Sequence, residues 1–448
     1  MEMRLPGPVS ALIRRLEENG YEAYAVGGCV RDMLLCRTPK DYDVTTNALP
    51  SEIKRIFRRT VDTGIAHGTV TVLLSGGAYE VTTYRLDGAY EDMRHPKEVT
   101  FSDRLEEDLK RRDFTVNAMA WNPKSGLVDL FGGQEDLREK RIRCVGKASE
   151  RFSEDVLRIL RAVRFAAQLG FSIEEETLRE IRISARNLPR ISKERIRDEL
   201  VKLLISDRPG DFRILYETGI TAVILPWFDA MMKTPQHCGY HHVNVGEHTL
   251  LTLPHVPAEP VLRLAALLHD VAKPALRTVG EDGEDHFHGH AERGAEMAGE
   301  ILRDLKFDND TIRRTVHLIR CHSLRPEGET EAVRRCLAAV GREAFPAYLA
   351  LQTADSMAKE PSRIPEMLSR IGEVRARYGE ITERGDAVTI GELAVGGNEM
   401  LALGLRGPEV GKTLSMLLDT VLADPARNTK KDLLAAAAAY AETRIEKK

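Results

Sequence analysis

The chain has 448 residues, which is too long for a single hydrophobic core, so we expect about three or four domains. Hydrophobic residues make up 42% and charged residues 30%, a balance typical of domains with buried cores and polar surfaces. The net charge of −4 excludes a uniformly basic protein, so any nucleic-acid contact must come from local patches. Six cysteines without a C-x-x-C pair indicate reduced thiols and a cytoplasmic location. Neither a signal peptide nor an apolar run of about 18 residues is evident, so we expect no membrane segment.

The first predicted elements are a helix and a strand. Residues 8–19 place apolar side chains at helical spacing, and Asn19-Gly20 is a typical helix end. Ala23–Val26 is a short apolar run that stops at Gly27-Gly28. Glycine at the end of a strand lets the backbone approach a ligand closely, so we expect a phosphate beside this pair.

Two acidic residues follow the glycine pair at a spacing that suits a metal site. Asp41 and Asp43 flank Tyr42, and on an extended segment residues i and i+2 point to the same side. Two carboxylates beside a phosphate-binding backbone suit Mg²⁺ chemistry on a nucleoside triphosphate. The pattern D-x-D alone is common in turns and on solvated faces, so it needs context.

The surrounding stretch supplies that context. GGCVRD at 27–32, followed by DYDVTTNALP at 41–50, resembles the opening motif of the class II nucleotidyltransferases. This family comprises tRNA CCA-adding enzymes and bacterial poly(A) polymerases and belongs to the polymerase-beta-like superfamily. The resemblance implies that Asp41 and Asp43 are catalytic Mg²⁺ ligands. It also implies that Gly27, Gly28 and Arg31 bind the triphosphate.

The following segments predict an α/β region with a mixed sheet. Residues 50–58 have helical spacing. The runs 67–74 and 79–84 alternate with β-branched residues around Ser75-Gly76-Gly77, which predicts a hairpin. Glu80 opens the second strand of this hairpin. It is either a third carboxylate of the metal site or an ordinary surface residue, and the sequence does not choose between them.

Residues 84–101 are polar and lack periodicity, which predicts a long loop. Loops of this length inside a domain are usually functional or disordered. The family resemblance implies a flexible element that is associated with addition of the final A. The presence of this element in intact form argues against an enzyme that adds only the two C residues. The residues in question are Arg85, Asp87, Tyr90, Asp92, Arg94 and Pro96.

A polar group lies in the segment 105–119, which carries Arg111, Arg112, Asp113 and Asn117. Arginine binds phosphate through two nitrogens, and Asp or Asn can accept a ribose hydroxyl, so the group suits a nucleotide clamp. The same residues would also fit a charged helix face. RRDFTVNAMA resembles the second motif of the same family, which implies that Arg112, Asp113 and Asn117 bind the nucleotide.

A basic window follows the head region. Between residues 138 and 164, nine Lys and Arg residues outnumber four Asp and Glu, an excess of +5 that predicts an RNA-facing surface. Within the window, residues 154–169 have amphipathic spacing that predicts one continuous helix. On such a helix Glu154, Asp155 and Arg158 cluster on one side, where they could simply form salt bridges.

The same cluster could also read a nucleotide base. A carboxylate can accept from the exocyclic amine of C or A while an arginine donates to a ring acceptor, which excludes U and G. The segment resembles the family's EDxxR motif, which implies base selection by Asp155 and Arg158, with Glu154 in register. Arg161, one turn further, is an additional nucleotide-binding candidate. Residues 192–205 predict another helix, which resembles a structural motif of the family.

Histidine is concentrated in the next region, where eleven of the thirteen histidines lie between His237 and His322. Imidazole and carboxylate groups together bind divalent metals that activate water for phosphate-ester hydrolysis. The series His248, His269-Asp270 and Asp355 resembles the HD phosphohydrolase superfamily, which implies that these four residues are metal ligands. His290 and His322 match positions that bind a second metal in some members. The histidines without such a match are His237, His241, His242, His286 and His288.

The last region, from residue 376, has helical character and an alanine-rich end. GPEVGKT at 407–413 has three positions between its glycines, whereas a P-loop has four, so we exclude a P-loop. The segment resembles the GPxxG helix start of the family's tail, which implies contact with the body of tRNA.

These patterns and the family resemblances together predict an α+β chain. Its regions are a polymerase-beta-like nucleotidyltransferase head with a mixed sheet (1–140), an all-α neck and body (141–236), an HD region (237–375) and a helical tail (376–448). The expected function is template-independent addition of CCA to tRNA 3′ ends, with CTP and ATP as substrates and Mg²⁺ as cofactor. A phosphohydrolase activity of the HD region, with an unidentified divalent metal, is a possible addition. The alternatives are a bacterial poly(A) polymerase, or an HD phosphohydrolase with a non-catalytic RNA-binding head. The expected partner is tRNA, without DNA or a membrane, and the oligomeric state stays open.

Overall fold

The computed structural model describes residues 3–88, 99–237 and 239–445. The chain divides into two compact units, Met1–Asp229 and Ala230–Lys448. Across the described ranges, every helix is too short or too polar to cross a lipid bilayer.

The first unit contains a seven-stranded sheet. Its strand order is β3-β4-β5-β2-β1-β8-β9, and β2 pairs antiparallel with β1 but parallel with β5. The sheet is therefore mixed, as predicted. The strands of this unit are β1 (Ala23–Val26), β2 (Asp43–Thr46), β3 (Thr60–Gly64), β4 (Thr69–Leu74), β5 (Gly77–Thr83), β6 (Arg85–Asp87), β7 (Val99–Phe101), β8 (Met119–Asn122), β9 (Gly126–Asp129), β10 (Arg141–Ile142) and β11 (Ser172–Ile173).

Helices follow the sheet and complete the first unit. The helices are α1 (Gly7–Glu18), α2 (Gly28–Leu34), α3 (Pro50–Ile56), α4 (Leu105–Lys110), α5 (Gly133–Arg138), α6 (Ala148–Glu154), α7 (Arg158–Leu169), α8 (Glu175–Ser184), α9 (Lys193–Leu204), α10 (Arg213–Glu217) and α11 (Ile220–Ile224). The boundary between the units falls inside α12 (Pro226–Lys233).

The apolar residues of the short strands explain why the sheet forms where it does. Val26 of β1 and Ala120 of β8 pack with Leu109 of α4 in one buried cluster. β4 and β5 pair antiparallel over their full length around the turn at Ser75-Gly76, which confirms the predicted hairpin. Alternate residues on these strands are buried, and this burial fixes the positions of the polar residues at the strand ends.

The segment predicted as a long loop has ordered ends. β6 and β7 pair antiparallel, with Arg85 opposite Phe101 and Asp87 opposite Val99. Tyr90, Asp92, Arg94 and Pro96, which the family resemblance singles out, lie outside the described residues.

The second unit is almost entirely helical. It contains α13 (Val245–Thr252), α14 (Pro260–Leu268), α15 (Lys273–Leu276), α16 (His290–Asp304), α17 (Asn309–Cys321), α18 (Thr330–Val340), α19 (Phe345–Met357), α20 (Ile364–Arg384), α21 (Gly397–Ala402), α22 (Pro408–Ala423) and α23 (Lys430–Ile445), with a short ribbon of β12 (Thr278–Val279) and β13 (Asp285–His286).

The helices of this unit form two packed groups. α14 packs against α13, α17 and α19, and α16 packs against α17, which brings several helix ends to one place. In the tail, Met400, Leu417 and Val421 are buried in a separate core. Gly407 precedes α22 with a φ of 53°, a backbone angle that favours glycine, so GPEVGKT forms a helix start as predicted.

Candidate functional site

The glycine pair forms the turn from β1 into α2. Gly27 has a φ of 80°, and a Cβ atom there would lie 2.9 Å from a guanidinium nitrogen of Arg112. Any larger residue would therefore be strained and would displace Arg112. The arginine predicted to bind a nucleotide is thus in contact with the predicted phosphate turn.

The predicted carboxylates lie beside this turn. β2 begins at Asp43, and both Asp41 and Asp43 are exposed. Val44 of β2 pairs with Val81 of the parallel strand β5, so Glu80 lies next to Asp43 on the neighbouring strand. Three carboxylates therefore face one region at the edge of the glycine turn.

The electrostatics of Asp43 confirm this proximity. Its pKa is raised to about 6, chiefly because the surrounding protein removes part of the hydration of the carboxyl group, although the residue remains exposed. Asp41 and Glu80 raise the pKa further by repulsion, whereas Arg112 lowers it. A site in which carboxylates repel one another fits a divalent cation with oxygen ligands.

A second set of predicted residues forms a connected chain of hydrogen bonds. Arg31 donates to Asn117 Oδ1 at 2.7 Å, and Asn117 donates to Asp113 Oδ1 at 3.2 Å. Arg161 donates through two nitrogens to Asp113 Oδ2, at 2.8 and 2.6 Å. Burial raises the pKa of Asp113, but Arg161 and Arg158 outweigh this and hold the pKa well below its usual value. Arg31 of α2, Asn117 of the segment after α4 and Arg161 of α7 are therefore linked through the ionised carboxylate of Asp113.

Arg112 belongs to a neighbouring network. Asp108 is fully buried and accepts from Arg112 at 3.2 Å, from Arg111 at 2.6 Å and from the Thr45 hydroxyl at 3.1 Å. The Nε atom of Arg112 is buried without a hydrogen-bond partner among the described residues. Arg112 is thus held between Asp108 and Gly27, where it can contact an anionic ligand.

The prediction of one continuous helix from 154 to 169 was wrong. α6 ends at Glu154, and Asp155 has extended angles (φ −141°, ψ 103°) before α7 begins at Arg158. The physical reason is local, because Asp155 Oδ1 accepts from the backbone N–H of Leu157 at 3.1 Å. A short acidic side chain that bonds a backbone group two residues on favours a turn rather than a helix interior.

This break separates the residues expected to act as one cluster. Arg158 donates to Glu154 at 2.6 Å and to the Arg111 carbonyl at 2.9 Å. Asp155 instead binds Arg195 of α9, at 2.7 Å. The sequence analysis assigned no function to Arg195, and no local spacing connects it to Asp155.

The basic window at 138–164 is not an open cationic surface. Six of its nine cations make ion pairs of 2.5–2.8 Å, and three of the acidic partners lie outside the window that was counted. The excess of +5 is therefore mostly neutralised. The pairs are Arg141 and Arg143 with Asp136, Arg151 and Arg158 with Glu154, Arg161 with Asp113, and Arg164 with Glu199.

In the second unit, four histidines share one arrangement. Each directs its Nδ1 atom to a backbone carbonyl: His248 to Ala358, His269 to Ala266, His290 to Phe287, and His322 to Ile319, at 2.6–3.2 Å. With a proton on Nδ1, the Nε2 atom is left as an electron-pair donor. The Nε2 atoms of His248 and His269 lie 3.4 Å apart, and those of His290 and His322 lie 3.2 Å apart. Facing Nε2 atoms of this kind fit a bound cation.

Asp270 joins these histidines into two groups. Its Oδ2 lies 3.2 Å from His269 Nε2 and 3.9 Å from His248 Nε2. Its Oδ1 lies 3.8 Å from His290 and 3.7 Å from His322. Within the described residues, only these two groups bring three possible ligand atoms within 4.8 Å of one another. The carboxylates of the first unit are therefore spaced more widely than this.

Asp355 completes the cluster from α19. It lies 3.0 Å from His248 Nε2, and its other oxygen binds Arg325 at 2.5 Å and Lys359 at 3.3 Å. Burial raises the pKa of Asp355, but the positive charges of Lys359 and Arg325 hold it well below its usual value. The cluster therefore contains two carboxylates that stay ionised.

A cavity of about 510 Å³ opens onto this cluster. Its wall includes Lys273, Arg325 and Lys359, three cations that suit a phosphate-bearing ligand. His241, His286 and His288 also line the cavity, although the sequence analysis gave them no role. His241 packs edge to face on His248 with ring centres 4.7 Å apart, a contact that only the fold reveals.

The fold and the two sites define a polymerase-type head followed by a region with a histidine–aspartate cluster. Three family models match in the corresponding order. They are the poly A polymerase head domain at residues 23–143, the probable RNA and SrmB-binding site of polymerase A at 170–232, and the HD domain at 239–362.

Comparisons with individual proteins identify the family to which the chain belongs. A crystal structure of the Bacillus stearothermophilus CCA-adding enzyme in complex with CTP is 30% identical, covers 99% of this chain and 100% of its own, and superposes with a TM-score of 0.75. The chain therefore belongs to the family of the CCA-adding enzymes. The CCA-adding enzyme of Lactobacillus delbrueckii subsp. bulgaricus is 51% identical over 211 residues, and that of Lactobacillus gasseri is 53% identical over 213 residues. Each alignment covers 47% of this chain and 53% of the relative, so the chain spans about half the length of the curated relatives it matches.

Proposed function

We propose that this protein adds CCA to the 3′ end of tRNA without a template, with CTP and ATP as substrates. The observation that carries the proposal is the convergence of Asp41, Asp43 and Glu80 beside the Gly27-Gly28 turn. The similar Bacillus stearothermophilus enzyme, described in complex with CTP, supports CTP as one substrate. The family matches to a polymerase head and an RNA-binding site support tRNA as the acceptor.

In the head, Asp41 and Asp43 would hold Mg²⁺, with Glu80 as a third carboxylate. Mg²⁺, when bound, offsets negative charge on the reacting phosphate oxygens. Gly27 and Gly28 allow the triphosphate to approach the backbone closely. Arg31 and Arg112 lie beside this turn and would bind the triphosphate.

Nucleotide selection would depend on the residues around the break between α6 and α7. Asp155 would accept from the exocyclic amine of C or A, and Arg158 would donate to a ring acceptor. Asn117 and Asp113 would position the sugar of the nucleotide and the cationic residues around Asp113. The ion pair with Arg161 keeps Asp113 ionised. Asp155 and Arg158 both form hydrogen bonds within the protein. Their partners would therefore fix the orientation that these two side chains present to a base.

The histidine–aspartate cluster supports a second, hydrolytic activity on phosphate esters. His248, His269, Asp270 and Asp355 would hold one divalent ion, and His290 and His322 would hold a second with Asp270 as the shared ligand. A divalent ion at such a site activates water for attack on phosphorus. Lys273, Arg325 and Lys359 would bind the phosphate of the substrate.

We also propose the four-region division at residues 140, 236 and 375 and a cytoplasmic location. The family matches at 23–143, 170–232 and 239–362 support the order of the first three regions. Cys29, Cys144, Cys321 and Cys336 are buried and form no disulfide, which supports a reducing compartment.

The test uses purified protein and a tRNA that ends at the discriminator base. Labelled CTP and ATP are supplied separately and together, and the products are sequenced. We expect addition in the order C, C, A. Runs of A from ATP alone would favour the poly(A) polymerase alternative. Hydrolysis of phosphate esters without any incorporation would favour an HD phosphohydrolase with a non-catalytic head.

A further inference from the structure

One face of α19 holds the turn that follows α17. Tyr348, Gln352 and Asp355 follow one another at i, i+4 and i+7, so their side chains lie on the same side of this helix, and all three are buried. His322 is the C-cap residue of α17 and begins the turn. The hydroxyl of Tyr348 donates to the carbonyl of Leu324 at 2.8 Å, which fixes the turn to α19.

Gln352 lies at the centre of this face and is 3% exposed. Its Nε2 atom donates to the backbone carbonyl of His322 at 2.5 Å, and its Oε1 atom accepts from Nη1 of Arg325. Because a guanidinium can only donate, the amide oxygen must face Arg325 and the amide nitrogen must face the carbonyl. Arg325 also donates to the His322 carbonyl and to Asp355 Oδ2, each at 2.5 Å. Gln352 and Arg325 therefore connect the backbone of one predicted metal ligand to the side chain of another.

The backbone held in this way carries a side chain that faces a candidate cation site. His322 directs Nδ1 to the Ile319 carbonyl, and its Nε2 atom lies 3.2 Å from His290 Nε2 and 3.7 Å from Asp270 Oδ1. Residues that orient a metal ligand affect metal affinity, and loss of such a residue typically lowers the affinity by about 10- to 100-fold. We call Asp270, His290 and His322 the second ligand group.

The other ligand group depends less on Gln352. Its carboxylate from α19, Asp355, faces His248 with Oδ1, whereas Oδ2 is held by Arg325 and by Lys359 at 3.3 Å. Loss of Gln352 would leave both cationic partners of this carboxylate in place. The effect of Gln352 should therefore fall on the second ligand group.

We propose that Gln352 is a positioning residue for the cation of the second ligand group. It acts through the backbone of His322, whose carbonyl it binds, and not through contact with the cation. This inference rests on the proposed hydrolytic function, because it requires that both ligand groups bind cations.

The experiment measures binding of Co²⁺ to the full chain by equilibrium dialysis, with the bound metal counted by mass spectrometry. Co²⁺ suits a mixture of imidazole and carboxylate ligands. Every protein carries Asp41→Ala and Asp43→Ala, which remove two carboxylates of the head from the count. His290→Ala removes a ligand of the second ligand group alone and so identifies the binding step of that group. Gln352→Met removes the donor and the acceptor, and we expect it to weaken this step at least about tenfold while the other step stays within about twofold.

Two further variants separate positioning from general stabilisation. Gln352→Glu keeps the size of the side chain and the acceptor for Arg325 but loses the donor to His322, so it should show the same selective loss. Tyr348→Phe removes a buried hydrogen bond between the same helix and the same turn, at Leu324, and should leave both steps unchanged. Equal weakening of both steps in the Gln352 variants, or the same selective loss in Tyr348→Phe, would overturn the proposal.

The parent protein separates this inference from the proposed function. Fewer than two Co²⁺ ions per chain in the parent would contradict the two-cation site and, with it, the role of Gln352. Two ions in the parent, with unchanged affinities in both Gln352 variants, would contradict the role of Gln352 alone.

Discussion

The two candidate sites hold their charged groups in different ways. In the head, the functional residues are bonded mainly to one another, as in the chain from Arg31 through Asn117 and Asp113 to Arg161. In the histidine–aspartate cluster, backbone carbonyls hold each imidazole by Nδ1 and leave Nε2 atoms facing one another. Under the proposed function, a cation would meet imidazoles that are already oriented in the cluster, whereas a nucleotide would compete with protein partners for the charged groups of the head.

The largest effect should come from the head carboxylates. Asp41→Ala should lower CTP incorporation by at least about a thousandfold, because it removes a ligand of the cation that stabilises charge in the transition state. The tRNA dissociation constant should stay nearly unchanged, as measured by filter binding. Asp62→Ala removes an exposed carboxylate of β3 and serves as the control. Equal loss of tRNA binding and incorporation would contradict the catalytic role of Asp41.

The histidine–aspartate cluster should be separable from the head. Asp270→Asn should remove both divalent ions, because this carboxylate lies in both ligand groups, whereas His290→Ala should remove one. Metal content after dialysis, measured by mass spectrometry, gives the stoichiometry. CTP incorporation should stay within about twofold of the wild type, because the two ligand sets share no residue. Loss of incorporation in His290→Ala would show that the two activities depend on each other.

A smaller effect is expected at Arg195, which donates to Asp155 at 2.7 Å and would hold this carboxylate in position. Arg195→Gln should remove one of the two hydrogen bonds that hold the Asp155 carboxylate, so the ratio of kcat/KM for CTP over UTP should fall by about tenfold, or roughly 1.4 kcal/mol. Arg195→Lys should restore part of the ratio.

The control for Arg195 is on the same helix. Arg197 donates to its neighbour Asp198 at 2.8 Å, and Arg197→Gln should leave the ratio of kcat/KM unchanged. If Arg195→Gln lowers the rates with CTP and UTP equally, Arg195 has a structural role only.

The smallest effect concerns the pH dependence of stability. Because the pKa of Asp43 is about 6 in the folded protein and 3.8 is its ordinary value, the folded state binds more protons between these pH values. Its stability should therefore fall as the pH rises through this window. In EDTA at pH 7.5, Asp43→Asn should raise the Tm by roughly 2 °C.

The same measurement has an internal check. The difference in Tm should vanish below about pH 3, where Asp43 is protonated in both states, and Mg²⁺ should stabilise the wild type more than the variant. A Tm of Asp43→Asn that stays below that of the wild type at pH 7.5 would contradict the repulsion among Asp41, Asp43 and Glu80.

Several features of the structure followed from residue patterns. The hairpin of β4 and β5 has its turn at the predicted glycines, and α1 buries the four apolar residues at helical spacing. The predicted head fold, with a mixed sheet, is confirmed. The cluster of His248, His269, Asp270 and Asp355 was predicted from the family resemblance, and the structure brings these residues together. The roles of these side chains stay predictions.

Other features could not be predicted from spacing. The helix expected through 154–169 fails because Asp155 bonds the backbone of Leu157, and a local hydrogen bond of this kind competes with helix continuation. The positive charge of the basic window is another example. Asp113, Asp136 and Glu199 lie outside the window in sequence, but in the fold they form ion pairs with its arginines.

Patterns within a few residues established the helices, the strands and the strained turn at Gly27, because backbone sterics and apolar periodicity act over short distances along the chain. The partners of charged groups followed from the packed fold. Asp155 meets Arg195 across 40 positions and Arg31 meets Asn117 across 86. Such pairs form because a buried charge needs whichever partner the packing brings within hydrogen-bond distance, a condition that no local spacing encodes.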